Sequence, residues 1–170
     1  MMTITVGITQ VADSFGVYYA TELASAVLAG LPVALAYLRA LERRLHAGRS
    51  LRDVASVASF FLSRIDVLAD ELLEHRIRPD GSSPFTPHPS TLRGTMAVAN
   101  AKLAYASFDR LLEEQRWQQL AAAGARPQRL LWASTSTKNP AYDDLMYVEP
   151  LIGTHTVNTM PAKTIAAFAD

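Results

Sequence analysis

Short apolar runs that end in small polar residues alternate along this chain with longer segments of helical periodicity. The clearest run, residues 54–62, is almost continuously apolar, which is typical of a parallel strand covered on both faces. Similar short runs occupy residues 3–12, 129–134 and 153–160. Strands that alternate with helices pair in parallel through right-handed crossovers. The pattern therefore predicts an α/β protein with four parallel strands.

Helical patterns fill most of the intervals between these runs. Residues 21–46 predict one broken helix or two consecutive helices, and residues 66–78 and 92–125 are also helical in pattern. A short helix is expected after the sequence KNP, and a last helix after the final strand. The intervening stretch 78–91 carries four prolines and is predicted to be an irregular surface loop.

Two architectures suit four parallel strands that end in polar residues. One is half of a (β/α)₈ barrel, in which the loops after the strands build the site. The other is a doubly wound open sheet. With 170 residues, the chain fits a single domain, 1–170, that is long enough to bury a core.

Composition and motifs exclude several classes of function. The 16 basic and 16 acidic residues balance, so there is no electrostatic footprint for nucleic acid. The absence of cysteine removes thiol nucleophiles and thiolate metal sites, and is compatible with the cytoplasm, which we expect. The four histidines show no metal-binding spacing, and no phosphate-binding glycine motif occurs, so we expect neither a metal nor a cofactor.

The most apolar early segment, residues 23–38, is interrupted by Gly30 and Pro32. It is too short to span a bilayer and runs into charged residues. It also lacks the basic leader of a signal peptide. We therefore interpret it as a buried or half-buried helix and expect no membrane partner.

A polar cluster follows the apolar run at 129–134. Ser134, Ser136, Lys138 and Asn139 come in close succession, and a cation with hydroxyls and backbone amides can clamp a phosphate. A turn whose polar side chains cap the next helix is the plainer alternative. A catalytic amine at Lys138 is a third.

Four blocks of the sequence, in this order, resemble the second half of bacterial transaldolases of the actinobacterial and cyanobacterial type. The resemblance implies a (β/α) half-barrel with added or divergent N-terminal helices and a sugar-phosphate site at the carboxyl ends of its strands. It implies transfer of a dihydroxyacetone unit from a ketose phosphate to an aldose phosphate through a lysine Schiff base, without a cofactor. The blocks are VASVASFFLSRID, LRGTMAVANAKLAYASF, WASTSTKNPAYDDLMYVEPLIG and HTVNTMP.

The resemblance also assigns roles to single residues. Arg64 matches the family's phosphate-binding arginine, Ser59 a residue that contacts substrate hydroxyls, and Phe61 one that shapes water access. Thr9 matches a threonine that positions the catalytic water. Without the resemblance, Arg64 would be expected to pair with Asp66, and the residues around Phe61 would be assigned to the core. The phosphate side would be completed by Ser134 and Lys138.

The resemblance leaves part of the family's machinery without a counterpart. The family's first four strands, which carry an aspartate, a glutamate and the Schiff-base lysine, have no match in this sequence. Its only lysines are Lys102, Lys138 and Lys163, and the first and last are expected on solvent-exposed helix faces. In the first strand, Gly7 replaces an asparagine and Gln10 an apolar residue of the family. We therefore do not expect stand-alone transaldolase activity.

A half-barrel would leave an apolar face and strand edges uncovered, which predicts a partner. The cover would be a second copy of the chain, a separately encoded N-terminal half, or the divergent N-terminal helices. Two other functions stay open: a repurposed enzyme of specialised metabolism that uses lysine-free chemistry, and a non-catalytic binding module.

Overall fold

The computed structural model describes residues 33–169, which form three parallel strands and five α-helices. Two short 3₁₀ helices, Pro89–Leu92 and Glu149–Leu151, lie between them. The predicted strand at 3–12, and with it Thr9, lies outside the described residues. In chain order the main elements are α1 (33–46), β1 (Val57–Phe61), α2 (Leu62–Glu74), α3 (Met96–Glu113), α4 (Gln115–Ala122), β2 (Arg129–Ala133), β3 (Thr156–Asn158) and α5 (Ala162–Ala169).

The strands lie side by side in the order β1-β2-β3, and both pairs are parallel. Ser59 is in register with Leu131, and Leu131 with Val157. The sheet does not close on itself within the described residues. This confirms the predicted α/β class, and an unclosed parallel sheet with helices is consistent with half of a barrel.

The two faces of strand β1 differ sharply in exposure. Ala58 is 8% exposed and packs with Phe60 toward the helices, whereas Val57 and Phe61 are 40% and 49% exposed on the opposite face, beside the exposed Ser59. Side chains alternate between faces along a strand, so this pattern marks one face as covered. The other face is the one that would point into a barrel.

Two apolar clusters hold the described residues together. The first lies between the sheet, α2 and α3, and the second joins α1 to α4. Arg116 of α4 also forms a two-point ion pair with Glu42 of α1. Its Nε donates to Oε1 at 2.5 Å and its Nη2 to Oε2 at 2.8 Å. The buried members of the first cluster are Ala58, Leu62, Ala97, Ala101, Leu130, Trp132, Tyr147 and Leu151; those of the second are Leu38, Leu41, Leu51, Trp117 and Leu120.

Three predicted boundaries were wrong. Helix α2 begins at Leu62 directly after strand β1, not at residue 66, because Leu62, which the apolar run placed in the strand, is buried in the first turn of the helix. The segment 92–125 contains two helices, since Glu114 has an extended backbone that turns Trp117 and Leu120 onto α1. The segment after KNP forms turns and a 3₁₀ helix, not an α-helix.

Within residues 33–169, no helix has both the length and the apolar character needed to cross a bilayer.

Candidate functional site

The carboxyl ends of strands β1 and β2 are joined by two serines. The Ser63 N–H donates to the Ser134 carbonyl at 3.1 Å, and the two hydroxyl oxygens lie 2.8 Å apart. Ser63 is 1% exposed, whereas Ser134 is half-buried and has a positive φ of 56°, a conformation uncommon for residues other than glycine. If Ser63 donates the hydroxyl bond, the Ser134 hydroxyl hydrogen remains available to a ligand.

A second pair of hydroxyl residues joins β2 to β3. The buried Thr135 donates its hydroxyl to the Thr159 carbonyl at 3.2 Å. Thr159 in turn donates its N–H and its hydroxyl to the Trp132 carbonyl, at 3.0 and 3.1 Å. The three strand ends are therefore held at one edge of the sheet by hydrogen bonds that use small side chains.

Arg64 lies in the first turn of helix α2, three residues after the end of strand β1. Its guanidinium carbon is 5.0 Å from the centre of the Phe61 ring, a distance within the range of cation–π attraction. No acidic residue lies in the first turn of α2 and no side chain caps it, so its N–H dipoles add positive potential beside Arg64. Among the described residues Arg64 forms no ion pair with Asp66.

Two further cations lie beyond the ends of β2 and β3. Lys138 is exposed and donates to the Ser136 hydroxyl at 2.9 Å. Lys163 of helix α5 pairs with Asp144 at 2.9 Å, and this ion pair lowers the pKa of the Asp144 carboxyl. Asp144 thus neutralises Lys163, while Lys138 contacts a neutral hydroxyl and forms no ion pair with any residue in the range 33–169.

The sequence reasoning missed a network of carboxyl groups on helix α2, one and two turns after the helix begins at Leu62. Asp66, 1% exposed, accepts hydrogen bonds from the Tyr147 hydroxyl at 2.7 Å and the Ala97 N–H at 2.8 Å. Asp70 accepts from the Tyr142 hydroxyl at 2.5 Å and from a backbone N–H at 2.9 Å. The signal was present: two aspartates four residues apart in RIDVLADELL lie on one helix face.

Burial raises the pKa of three groups in this network. It raises the pKa of Asp66, and the hydrogen bonds from Tyr147 and Ala97 only partly offset it. Burial, together with the neighbouring carboxylates, also raises the pKa of Tyr147, and it raises that of Tyr142 to about 12. Both phenols therefore remain donors at neutral pH.

Of the predicted site residues, the structure brings Ser59, Phe61, Arg64 and Ser134 to the carboxyl end or the open face of the sheet. Lys138 lies in the segment that continues from Ser134. Within residues 33–169 no group of three or more carboxylates and histidines is arranged to hold a metal ion.

Comparison with known proteins gives a consistent result. The family model described as Transaldolase/Fructose-6-phosphate aldolase matches residues 15–170. A transaldolase of Trichodesmium erythraeum is 45% identical over 157 residues, which cover 92% of this chain and 41% of the relative. A transaldolase 2 of a Nostoc species is 50% identical over 79% of this chain and 36% of its own length, and a transaldolase of a Parafrankia species is 51% identical over 79% and 34%. The chain therefore spans about two fifths or less of these relatives.

The raised pKa of Asp66 makes a prediction about stability. A carboxyl whose pKa is higher in the folded state stabilises that state most at low pH, and this contribution is lost as pH rises through the folded pKa. We expect the free energy of unfolding of the wild type, minus that of Asp66→Asn, to fall from about pH 4, the usual aspartate pKa, toward neutral pH. Urea unfolding of both proteins at several pH values measures this difference, and a flat or rising difference would contradict it.

Proposed function

Because the chain belongs to the Transaldolase/Fructose-6-phosphate aldolase family, we propose that it supplies the phosphate side of a sugar-phosphate site of pentose phosphate type metabolism. The reaction would be transfer of a dihydroxyacetone unit from a ketose phosphate to an aldose phosphate. The observation that carries the proposal is the junction of β1 and β2, where Ser63 holds Ser134 beside Arg64 and the start of α2, which no side chain caps.

The chemistry of these groups suits a phosphate dianion. A guanidinium grips phosphate with parallel N–H donors, and the N-terminus of a helix contributes further N–H groups and a favourable dipole. Lys138 would add a second positive charge, and Ser134 a hydroxyl donor.

The other predicted residues would act on the sugar. Ser59, exposed on the open sheet face, would contact substrate hydroxyls, and Phe61 would limit water access while its ring supports Arg64. Thr9 would position the catalytic water. These roles come from the family, and the exposure of Ser59 and Phe61 toward the open face supports the two that lie among the described residues.

The chain's own lysines are poorly suited to Schiff-base formation. The amine must lose its proton before it attacks a carbonyl, and enzymes favour this by burying the lysine among apolar groups. Lys102 and Lys138 are exposed, and the Lys163 side chain is 79% exposed in its pair with Asp144. We propose that the reacting amine comes from a polypeptide that completes the barrel.

The open face of the sheet gives that polypeptide a place to bind. Val57, Ser59 and Phe61 present a mixed apolar surface that a closed barrel would cover, and among the described residues strand β1 pairs on one edge alone. Unpaired strand edges and exposed apolar faces favour association. A second copy of the chain is the arrangement to test first, because two-fold pairing is the usual symmetry of homo-oligomers.

The phosphate role predicts the effect of removing Arg64. Arg64→Ala should weaken the binding of fructose 6-phosphate roughly 10- to 150-fold, the equivalent of about 1.5–3 kcal/mol for a hydrogen bond to a charged group. Isothermal titration calorimetry measures the affinity. Arg110→Ala, which removes an exposed arginine from the last turn of α3, is the matched control and should bind normally. Equal affinity of Arg64→Ala and wild type would refute the phosphate role.

The exposure of the lysines predicts the result of borohydride trapping. When the folded chain alone is treated with fructose 6-phosphate and borohydride, intact mass should show no sugar or three-carbon adduct, because none of the three amines is desolvated. An adduct mapped to Lys102, Lys138 or Lys163 would show instead that this chain carries out Schiff-base chemistry itself.

The open face predicts the effect of a buried charge on assembly. Val57→Asp should shift the mass measured by light scattering from dimer toward monomer, because an interface would have to bury its carboxylate. Leu68→Asp, at a side chain on α2 that is 53% exposed, should leave the mass unchanged. A stable, monodisperse wild-type monomer would argue against the second copy and favour a separately encoded half.

A further inference from the structure

The segment that carries Lys138 is not part of a helix or strand, so it needs external support. Residues 134–148 leave β2, turn twice and run back across helix α2. The buried bond from Tyr147 to Asp66 fixes the far end of the segment. The end near Lys138 is fixed by a different set of contacts.

Tyr142 makes those contacts. Its hydroxyl donates to one Asp70 oxygen at 2.5 Å, and the other Asp70 oxygen accepts the Gly94 N–H at 2.9 Å. The Tyr142 ring lies so close to Gly94 that a Cβ there would be 2.9 Å from the ring carbon Cζ. Gly94 also has a backbone φ of 67°, a conformation that residues other than glycine rarely adopt. We call Asp70, Gly94 and Tyr142 the tyrosine clasp.

A tight turn connects the clasp to Lys138. The Tyr142 N–H donates to the Asn139 carbonyl at 3.1 Å, and the Asn139 side chain accepts the Ala141 N–H at 2.9 Å. Asn139 directly follows Lys138. A displacement of the Tyr142 ring would therefore move the turn that contains Asn139, and Lys138 would move with it.

We propose that Tyr142 is a positioning residue that, through the tyrosine clasp, holds the 136–141 turn so that Lys138 faces the phosphate of the substrate. This inference rests on the proposed function. We place the clasp outside the phosphate site. Both oxygens of its carboxylate are already bonded, one to the Tyr142 hydroxyl and the other to the Gly94 N–H. It explains why the sequence places a glycine with positive φ just before helix α3: a larger residue would push the ring away from Asp70.

The chain offers a matched pair of variants to test this. Tyr142→Phe removes the hydroxyl of the clasp, and Tyr37→Phe removes another tyrosine hydroxyl, which donates to the Arg126 carbonyl at 2.9 Å and has no connection to the 136–141 turn. Gly94→Ala displaces the same ring without touching its hydroxyl. Affinities for fructose 6-phosphate and for inorganic phosphate are measured by titration calorimetry, with the melting temperature recorded for each variant.

We expect Tyr142→Phe and Gly94→Ala to weaken both ligands about five- to tenfold, the effect of lowering the fraction of molecules with a binding-competent turn to between a fifth and a tenth. Tyr37→Phe should bind as the wild type does. In a Lys138→Ala background Tyr142→Phe should have no further effect, because the two residues act as one unit. Wild-type affinity of Tyr142→Phe, or an undiminished effect in the Lys138→Ala background, would overturn the proposal.

Hydrogen exchange separates this proposal from the proposed function, because it needs no ligand. The amides of Ala141 and Tyr142 should exchange faster in Tyr142→Phe, while those of β2 should be unchanged. Unchanged exchange in the turn would overturn the clasp even if phosphate binds. If the wild type binds neither ligand, the phosphate role and the purpose assigned to the clasp both fail, and faster exchange would then show only that the clasp holds the turn.

Discussion

The carboxyl group of Asp66 connects three parts of the protein that are far apart in sequence. It lies in α2, accepts a backbone N–H at the start of α3, and accepts the hydroxyl of Tyr147 from the segment after β2. A buried carboxyl without partners would cost several kcal/mol, so each of these bonds offsets part of a penalty that burial creates. The same burial makes the geometry strict, since a shift of either partner would leave the group unsatisfied.

This constraint explains why positive and negative groups are separated along helix α2. Arg64 is in the exposed first turn of the helix, where the dipole is also positive, while Asp66 and Asp70, two and six residues farther on, are occupied by tyrosine hydroxyls. Hydroxyl donors satisfy the carboxylates without adding charge. Within residues 33–169, Arg64 and Lys138 therefore face solvent or a ligand and form no ion pair with the nearest acids.

Within residues 33–169 the sheet is unclosed, and its two faces differ in exposure. The helix-covered side holds a dense core that includes Trp132 and Leu62, at 1% and 0% exposure, whereas the opposite side leaves Phe61 half in solvent. An apolar ring beside a cation can serve a ligand site. Two exposed apolar side chains on one face of a strand, Val57 and Phe61, also favour association with another surface. The proposed site lies at the margin of that surface, so binding of the sugar and closure of the barrel would involve neighbouring residues.

The sequence by itself determined the class of fold and predicted where a site would lie. Alternating apolar runs and helical periodicity required a parallel sheet, and polar residues after the runs marked its carboxyl edge; the resemblance selected Arg64, Ser134 and Lys138 within it. The sequence could not show that helix α2 already includes Arg64, because the apolar run continues through Leu62 without a break in pattern.

Only the tertiary structure decided which polar groups are partners. The bonds from Tyr147 to Asp66 and from Tyr142 to Asp70 join residues 81 and 72 positions apart, and no local propensity specifies such a contact. The close approach of Tyr142 to Gly94 likewise depends on how α2, the start of α3 and the segment after β2 pack together. Periodicity records which side of an element is buried, whereas hydrogen-bond partners depend on distances that exist only after the elements have packed.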